Sequence, residues 1–258
     1  MSRRGYLIAA GALAALLVAG FALWWVFLRD DAPPPVALEE AVVAATSSTV
    51  AAPAGAGTTT TTSRAAVTTT TAATTTTAGD GAAVTDGAWE VDTGSFVGYR
   101  VREELANIGA ATAVGRTPAV AGSLVLDGTT VTAVSLAADL TRLESDDSRR
   151  DGQLRRQALE TNTFPTATFE LTVPIELTAI PEQGVAITAE AAGELTLHGV
   201  TREVAVPVEA QLSGGVIVVV GSLPVVFADY DIDAPSSFVV LSVDDEGVME
   251  FQLFFRRA

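Results

Sequence analysis

The sequence predicts an all-β domain across residues 87–258, an antiparallel barrel or a sandwich of seven or more strands. Three observations carry that reading. Apolar and polar residues alternate through most of this region, the signature of a strand with one face buried. Glycine-containing turn pairs separate the alternating runs. The runs also follow one another without long helical intervals, which makes neighbouring strands antiparallel.

In chain order the strands read VTAVSLAADL, TATFELTVPIEL, GVAITAEAAGELTLH, REVAVPVEAQL, GGVIVVVGSLPVVF, SFVVLSV and GVMEFQLFFR. Asp127-Gly128, Gln183-Gly184, Gly214-Gly215 and Glu246-Gly247 read as the turns. Alternation places Phe169, Leu171 and Val173 on one face, then Leu195 and Leu197, then Val204, Val206 and Val208, then Met249, Phe251, Leu253 and Phe255. Gly98, Ala186, Ala189 and Gly193 interrupt this set with small side chains, which would leave room inside an eight-stranded barrel. Residues 145–160 depart from the pattern. They are polar and lack the period of two, and Ser145, Asp146 and Asp147 suit the cap of a short helix.

The preceding residues are of two other kinds. Residues 6–28, YLIAAGALAALLVAGFALWWVFL, are uncharged, and about 20 apolar residues suffice to cross a bilayer as a helix. Arg3 and Arg4 precede them, and Asp30 and Asp31 follow Arg29, so the charge bias leaves the N-terminus cytoplasmic and the rest outside. Trp24, Trp25 and Phe27 suit the outer interface. A cleaved signal peptide usually has a shorter apolar core, about 7–15 residues, ending at small residues. The bulky WWVFL end therefore favours an uncleaved anchor. Residues 29–86, rich in Thr, Ala and Pro, read as a disordered linker. Such a tether would span on the order of 45 Å. The expected domains are thus 1–28, 29–86 and 87–258.

Composition excludes several functions. There is no cysteine and one histidine, His198, which closes off Cys/His zinc sites, disulfides and a thiol nucleophile. A net charge of −16, with every basic residue an arginine, opposes nucleic-acid binding. No G-x-S-x-G stretch accompanies His198, so a serine hydrolase is not indicated. No cofactor is implied.

The ordered motifs resemble YceI-like proteins. SFVGYRV (95–101) is similar to the family's first barrel strand and GSLVLDG (122–128) to its second hairpin. SRRDGQLRRQALETNTFPTATFEL (148–171) resembles its most characteristic stretch, through Arg150, Asp151, Leu154, Phe164, Pro165, Thr168 and Phe169. GELTLHGVTREVAVPV (193–208) resembles the Gly-x-Leu-Thr-x-His-Gly-Val-Thr segment. Glu103-Glu104 stands where many members carry a histidine, and Ala158-Leu159-Glu160 replaces an aromatic pair. The resemblance implies a lipocalin-like antiparallel barrel of about eight strands with a short helix. It also implies an extracytoplasmic, non-enzymatic protein whose partner is an isoprenoid or other long-chain lipid. The expected tunnel is lined by Tyr99, Val101, Phe164, Phe169, Leu171, Leu195, Leu197 and Phe251. Arg150, Asp151 and His198 are the head-group candidates, with a turn-holding role as the alternative for His198 and a solvated helix face as the alternative for the arginine cluster.

Overall fold

Two hairpins set the frame. Gly214 and Gly215 both adopt positive φ, +58° and +81°, and join β10 (Val200–Ser213) to β11 (Val216–Val226) through a two-residue turn. His198 and Gly199 do the same, at +52° and +76°, between β9 (Ala186–Leu197) and β10. Positive φ at both central residues matches the right-handed twist of the flanking strands, so each turn fixes its register. The computed structural model describes residues 32–49, 85–106, 109–234 and 240–258. The apolar run 6–28 and most of the expected linker lie outside them. Among the described residues no helix is long and apolar enough to cross a membrane.

The remaining strands are β1 (Gly87–Val91), β2 (Phe96–Leu105), β3 (Gly109–Thr117), β4 (Val120–Asp127), β5 (Thr130–Asp139), β6 (Glu144–Ser145), β7 (Thr166–Leu171), β8 (Ile175–Glu176), β12 (Val240–Val243) and β13 (Glu246–Arg257). All the pairings between them are antiparallel. The order β1-β4-β5-β7-β9-β10-β11-β13 closes because β13 pairs again with β1, giving an eight-stranded barrel. β13 is long enough to pair with β1 at one end and β2 at the other. Between them Ser95 enters the ladder, its hydroxyl oxygen accepting from the Phe254 N–H at 2.9 Å. The strand expected over 166–177 breaks at Thr172–Pro174, and Val173 is 56 % exposed instead of inward. Glu246-Gly247, expected to be a turn, belongs to β13, and no reversal occurs there: β12 and β13 run in the same direction along β2, joined through Asp244 and Asp245.

The short helix is α2 (Ser148–Gln153), capped by Asp147, whose Oδ1 accepts from the Arg149 N–H at 2.7 Å. A π turn over Leu154–Ala158 continues it. Together they cover one end of the barrel.

A further helix, α1 (Leu38–Thr49), corrects the expectation that disorder begins at residue 29. Leu38, Ala41 and Ala45 form a stripe at helical spacing, and they bury against Val216, Val218 and Val220 of β11 and Phe254 of β13. Ala41 and Val218 are both 0 % exposed. These valines are on the outer face of a strand whose inner face is also apolar, so an uncovered β11 would leave an apolar patch in water. Ahead of α1, the Pro33 carbonyl accepts from Arg100 Nη2 at 2.7 Å.

Candidate functional site

Inside the barrel the inward residues leave two cavities stacked along the axis. One, of about 120 Å³, is walled by Leu124, Leu136, Phe169, Ala189, Val206 and Phe251, among others. The second, of about 130 Å³, lies beneath α2 and includes Tyr99, Val101, Glu103, Arg150, Leu197 and Met249. Successive inward positions of one strand divide between them: Met249 faces the second, Phe251 the first. Ala167 and Phe169 of β7 divide the same way. Each cavity is well above the ~10–15 Å³ that holds one water, and their walls are apolar almost throughout, a combination that stays dry or takes an apolar ligand.

Aromatic rings border this space, and glycines opposite make room for them. Tyr99 lies over Gly115, its partner on β3, and Phe251 lies over Gly221, its partner on β11. Gly193 does not leave empty room: a Cβ there would come 2.6 Å from the Phe169 ring, which occupies the space. Gly98 faces outward.

Polar groups gather at the α2 end. Glu103, 7 % exposed, ends the inward row of β2. Its Oε1 accepts from Arg150 Nη2 at 2.5 Å, while Arg150 Nη1 donates to Asp146 Oδ1 at 2.5 Å. Burial works against the Arg150 charge, but Glu103 and Asp146 outweigh it and hold its pKa above the ordinary guanidinium value. Asp151 is turned into the lid, accepting from the Ser145 N–H at 3.0 Å and the Ser145 hydroxyl at 2.6 Å. It fastens α2 to β6, which pairs with Gly115 of β3. The Tyr99 hydroxyl is buried beside this group, next to the Ser145 hydroxyl. Burial pushes its pKa up to about 12.

His198 sits outside both cavities. The Tyr230 carbonyl can only accept, so Nδ1, 3.0 Å away, donates to it. Nε2 faces Glu160 Oε2 at 3.2 Å. The Phe164 ring meets the imidazole edge-to-face, with centroids 4.5 Å apart.

Of the expected tunnel residues, Tyr99, Val101 and Leu197 border the second cavity, and Phe169 and Phe251 the first. Leu171 packs against the core cluster of the first half, Leu195 is buried under the lid, and Phe164 packs against His198 and Gly199, so these three border neither. Leu154 and Leu159 of the lid, named above only for the family resemblance, and Ile175, Leu177 and Pro181 beside the first cavity are lining residues that were not expected. Leu154, Leu159 and Pro181 lie outside the alternating runs, where period gives no facing, whereas Ile175 and Leu177 continue the alternation of Phe169 and Leu171 past the break at Thr172–Pro174. Among the described residues no group of three or more His, Asp or Glu is placed to hold a metal ion.

A closed antiparallel barrel with an apolar interior and a helical lid is a lipocalin-like architecture. The chain belongs to the YceI-like domain family, whose model matches residues 89–255. It is similar to a polyisoprenoid-binding domain from Saccharophagus degradans implicated in plant cell wall breakdown, at 19% identity and a TM-score of 0.52, covering 67% of this chain and 100% of that one. It is also similar to BcnA of Burkholderia cenocepacia (20% identity, TM-score 0.48, 63% and 99% covered). A Campylobacter jejuni YceI protein matches at 15% identity and a TM-score of 0.44, with 54% and 82% covered. At these identities the likeness is one of fold. No curated protein matches the chain at a significant level.

Proposed function

We propose that the domain is a non-enzymatic binder of a long apolar chain, an isoprenoid lipid, held along the barrel axis on the outer side of a membrane to which residues 6–28 anchor it. The observation that carries this reading is the pair of end-to-end apolar cavities inside a closed barrel. Family membership and the polyisoprenoid-binding domain of Saccharophagus degradans support the ligand class. Glu103 and Arg150, the charged groups on the walls, are bound to each other, an arrangement suited to a lining more than to proton transfer. Binding gains roughly 0.8 kcal/mol per methylene removed from water, before ordering costs.

The test is native extraction of the purified full-length chain with mass spectrometry of the lipid fraction, repeated on Leu197→Trp. A bound long-chain lipid that Leu197→Trp displaces from a folded protein is the expected result. A lipid-free barrel that Leu197→Trp merely destabilises would favour a filled barrel serving protein interaction. For the anchor, protease added to intact spheroplasts removes the domain; protection would place it inside.

A further inference from the structure

The outer face of β11 carries apolar side chains at both ends, and α1 covers one of them. Val216, Val218 and Val220 lie under the helix, and the outward positions then continue through Ser222 and Pro224 to Val226. The N-terminal turn of α1 borders Val220, Gly221 and Ser222. Followed back from there, the chain climbs the barrel wall toward the α2 end, where Arg100 Nη2 donates to the Pro33 carbonyl at 2.7 Å. Arg100 is pinned in turn by Glu250, at 3.4 Å. Beyond this clasp Val226 is 41 % exposed, and Leu241 of β12 is 65 % exposed. Both are on the flank made by β11, β13 and β2. Val226 pairs with Glu246, and β12 extends along β2 beyond the start of β13.

Reach decides how the barrel stands. The apolar run ends at Leu28 and the clasp holds Pro33, so the peptide steps between them span at most about 18 Å. From Val248, the partner of Arg100, β13 runs on to Arg257 at the far end. That is on the order of 23 Å along the axis for strands inclined by roughly 35–45°. The chain is therefore too short to leave a bilayer and set the far end on its surface, and long enough to set the α2 end there. We propose that the α2 end of the barrel sits against the membrane that residues 6–28 cross, with Val226 and Leu241 as points of contact. The orientation rests on the anchored reading of residues 6–28 and adds a contact surface and a direction to it. Exposed Glu104, Asp244, Asp245 and Glu246 share this rim with exposed Arg102, so the surface it suits is one of uncharged or zwitterionic head groups. The same placement puts the cavity beneath α2 next to the lipid.

The chain has no cysteine, so single labels can be placed on it. Leu241→Cys at the α2 end and Asp127→Cys in the β4–β5 turn at the far end are both at exposed positions. Thermal melts first check that each variant keeps the barrel. Each full-length variant is then labelled with a fluorophore and reconstituted into dioleoylphosphatidylcholine vesicles containing a head-group nitroxide lipid. The label at 241 should lie within about 10 Å of the head groups and lose about half its fluorescence, and the label at 127 should lose almost none. Ala41→Asp, which unseats α1, should remove most of the difference between the two positions. Equal loss at both, greater loss at 127, or a loss at 241 that Ala41→Asp leaves intact overturns the orientation while the anchor stands. If the chain does not float with the vesicles at all, residues 6–28 are no anchor, and the orientation falls with that reading.

Discussion

Arg116 and Glu250 lie on strands that do not touch, and they bond at 2.9 Å across Gly98 of the strand between them. Gly98 pairs with both, and its missing side chain lets the guanidinium cross β2 on the barrel's outer surface. Glu250 is 1 % exposed and takes a second arginine, Arg100, at 3.4 Å. Arg116 also stacks over Phe96, 4.3 Å from its centroid. A Cβ on Gly98 would clash with the Gly115 carbonyl oxygen and stand 2.9 Å from Arg116 Cγ, so both the β3 backbone and the arginine must shift. Gly98→Ala should therefore push the arginine off and lower stability by about 1–3 kcal/mol, read as a shifted urea midpoint with unchanged slope. Wild-type stability in Gly98→Ala would show that the crossing contributes nothing.

Tyr99 makes the fold sensitive to alkali. Burial raises its pKa to about 12 against 10 for the free side chain, so the folded state keeps the proton that the unfolded chain releases. Stability from this group is complete below pH 10 and is lost as pH rises through 12. The loss is on the order of 2 kcal/mol. Tyr230 shifts in the same direction, also through burial. Denaturation of Tyr99→Phe between pH 9 and 11.5 should show a shallower decline than wild type, and parallel declines would remove Tyr99 as the cause.

The His198 turn can be tested by shape as well as by hydrogen bonding. His198→Asn tolerates φ of +52° and should cost about 1 kcal/mol from the lost side-chain bonds. His198→Val adds a β-branched side chain at the same φ and should cost about 1–3 kcal/mol more. Thermal melts that rank Val at or above Asn would contradict the turn role. Lipid retention, corrected for unfolding, should match wild type in both.

Docking of α1 predicts that Ala41→Asp frees it. An aspartate would face Val216, Val218 and Val220 with no partner for its charge. Limited proteolysis should then cut within 38–49 at a rate that the wild type resists. The uncovered β11 face should also bring self-association, visible by light scattering. A monomer with a protected helix would mean that α1 tolerates the charge.

The barrel was legible because the period of two survives in β9, β10 and β13, and because Gly214-Gly215 and His198-Gly199 mark their turns. α1 was also written in the sequence, as Leu38, Ala41, Val42 and Ala45, and in the unbroken apolar run VIVVV, which needs cover on both faces. The Thr- and Pro-rich surroundings hid that short stripe, since composition averaged over residues 29–86 dilutes one helix of 12 residues. The site was readable only in part. Alternation put Tyr99, Val101, Phe169, Leu197 and Phe251 inside. It also put Gly98 on the face opposite Tyr99, but it could not say that the space at Gly193 is filled by Phe169, because a glycine's neighbours come from other strands. Nor could the linear order reveal that Arg150 meets Glu103, since the two are 47 positions apart.

Because α1 is seated on β11, the Thr-rich tract is held at both ends, at Thr49 and again at Thr85, by the same body. For a flexible connection between such ends, doubling the length changes the closure cost by only about 0.6 kcal/mol. Such a connection also makes α1 a ligand in cis, presented to its groove at an effective concentration in the millimolar range. A single cut anywhere in the tract would turn that intramolecular seat into an ordinary bimolecular affinity. Whatever precedes α1 would then keep hold of the barrel only for as long as twelve residues of helix stay bound.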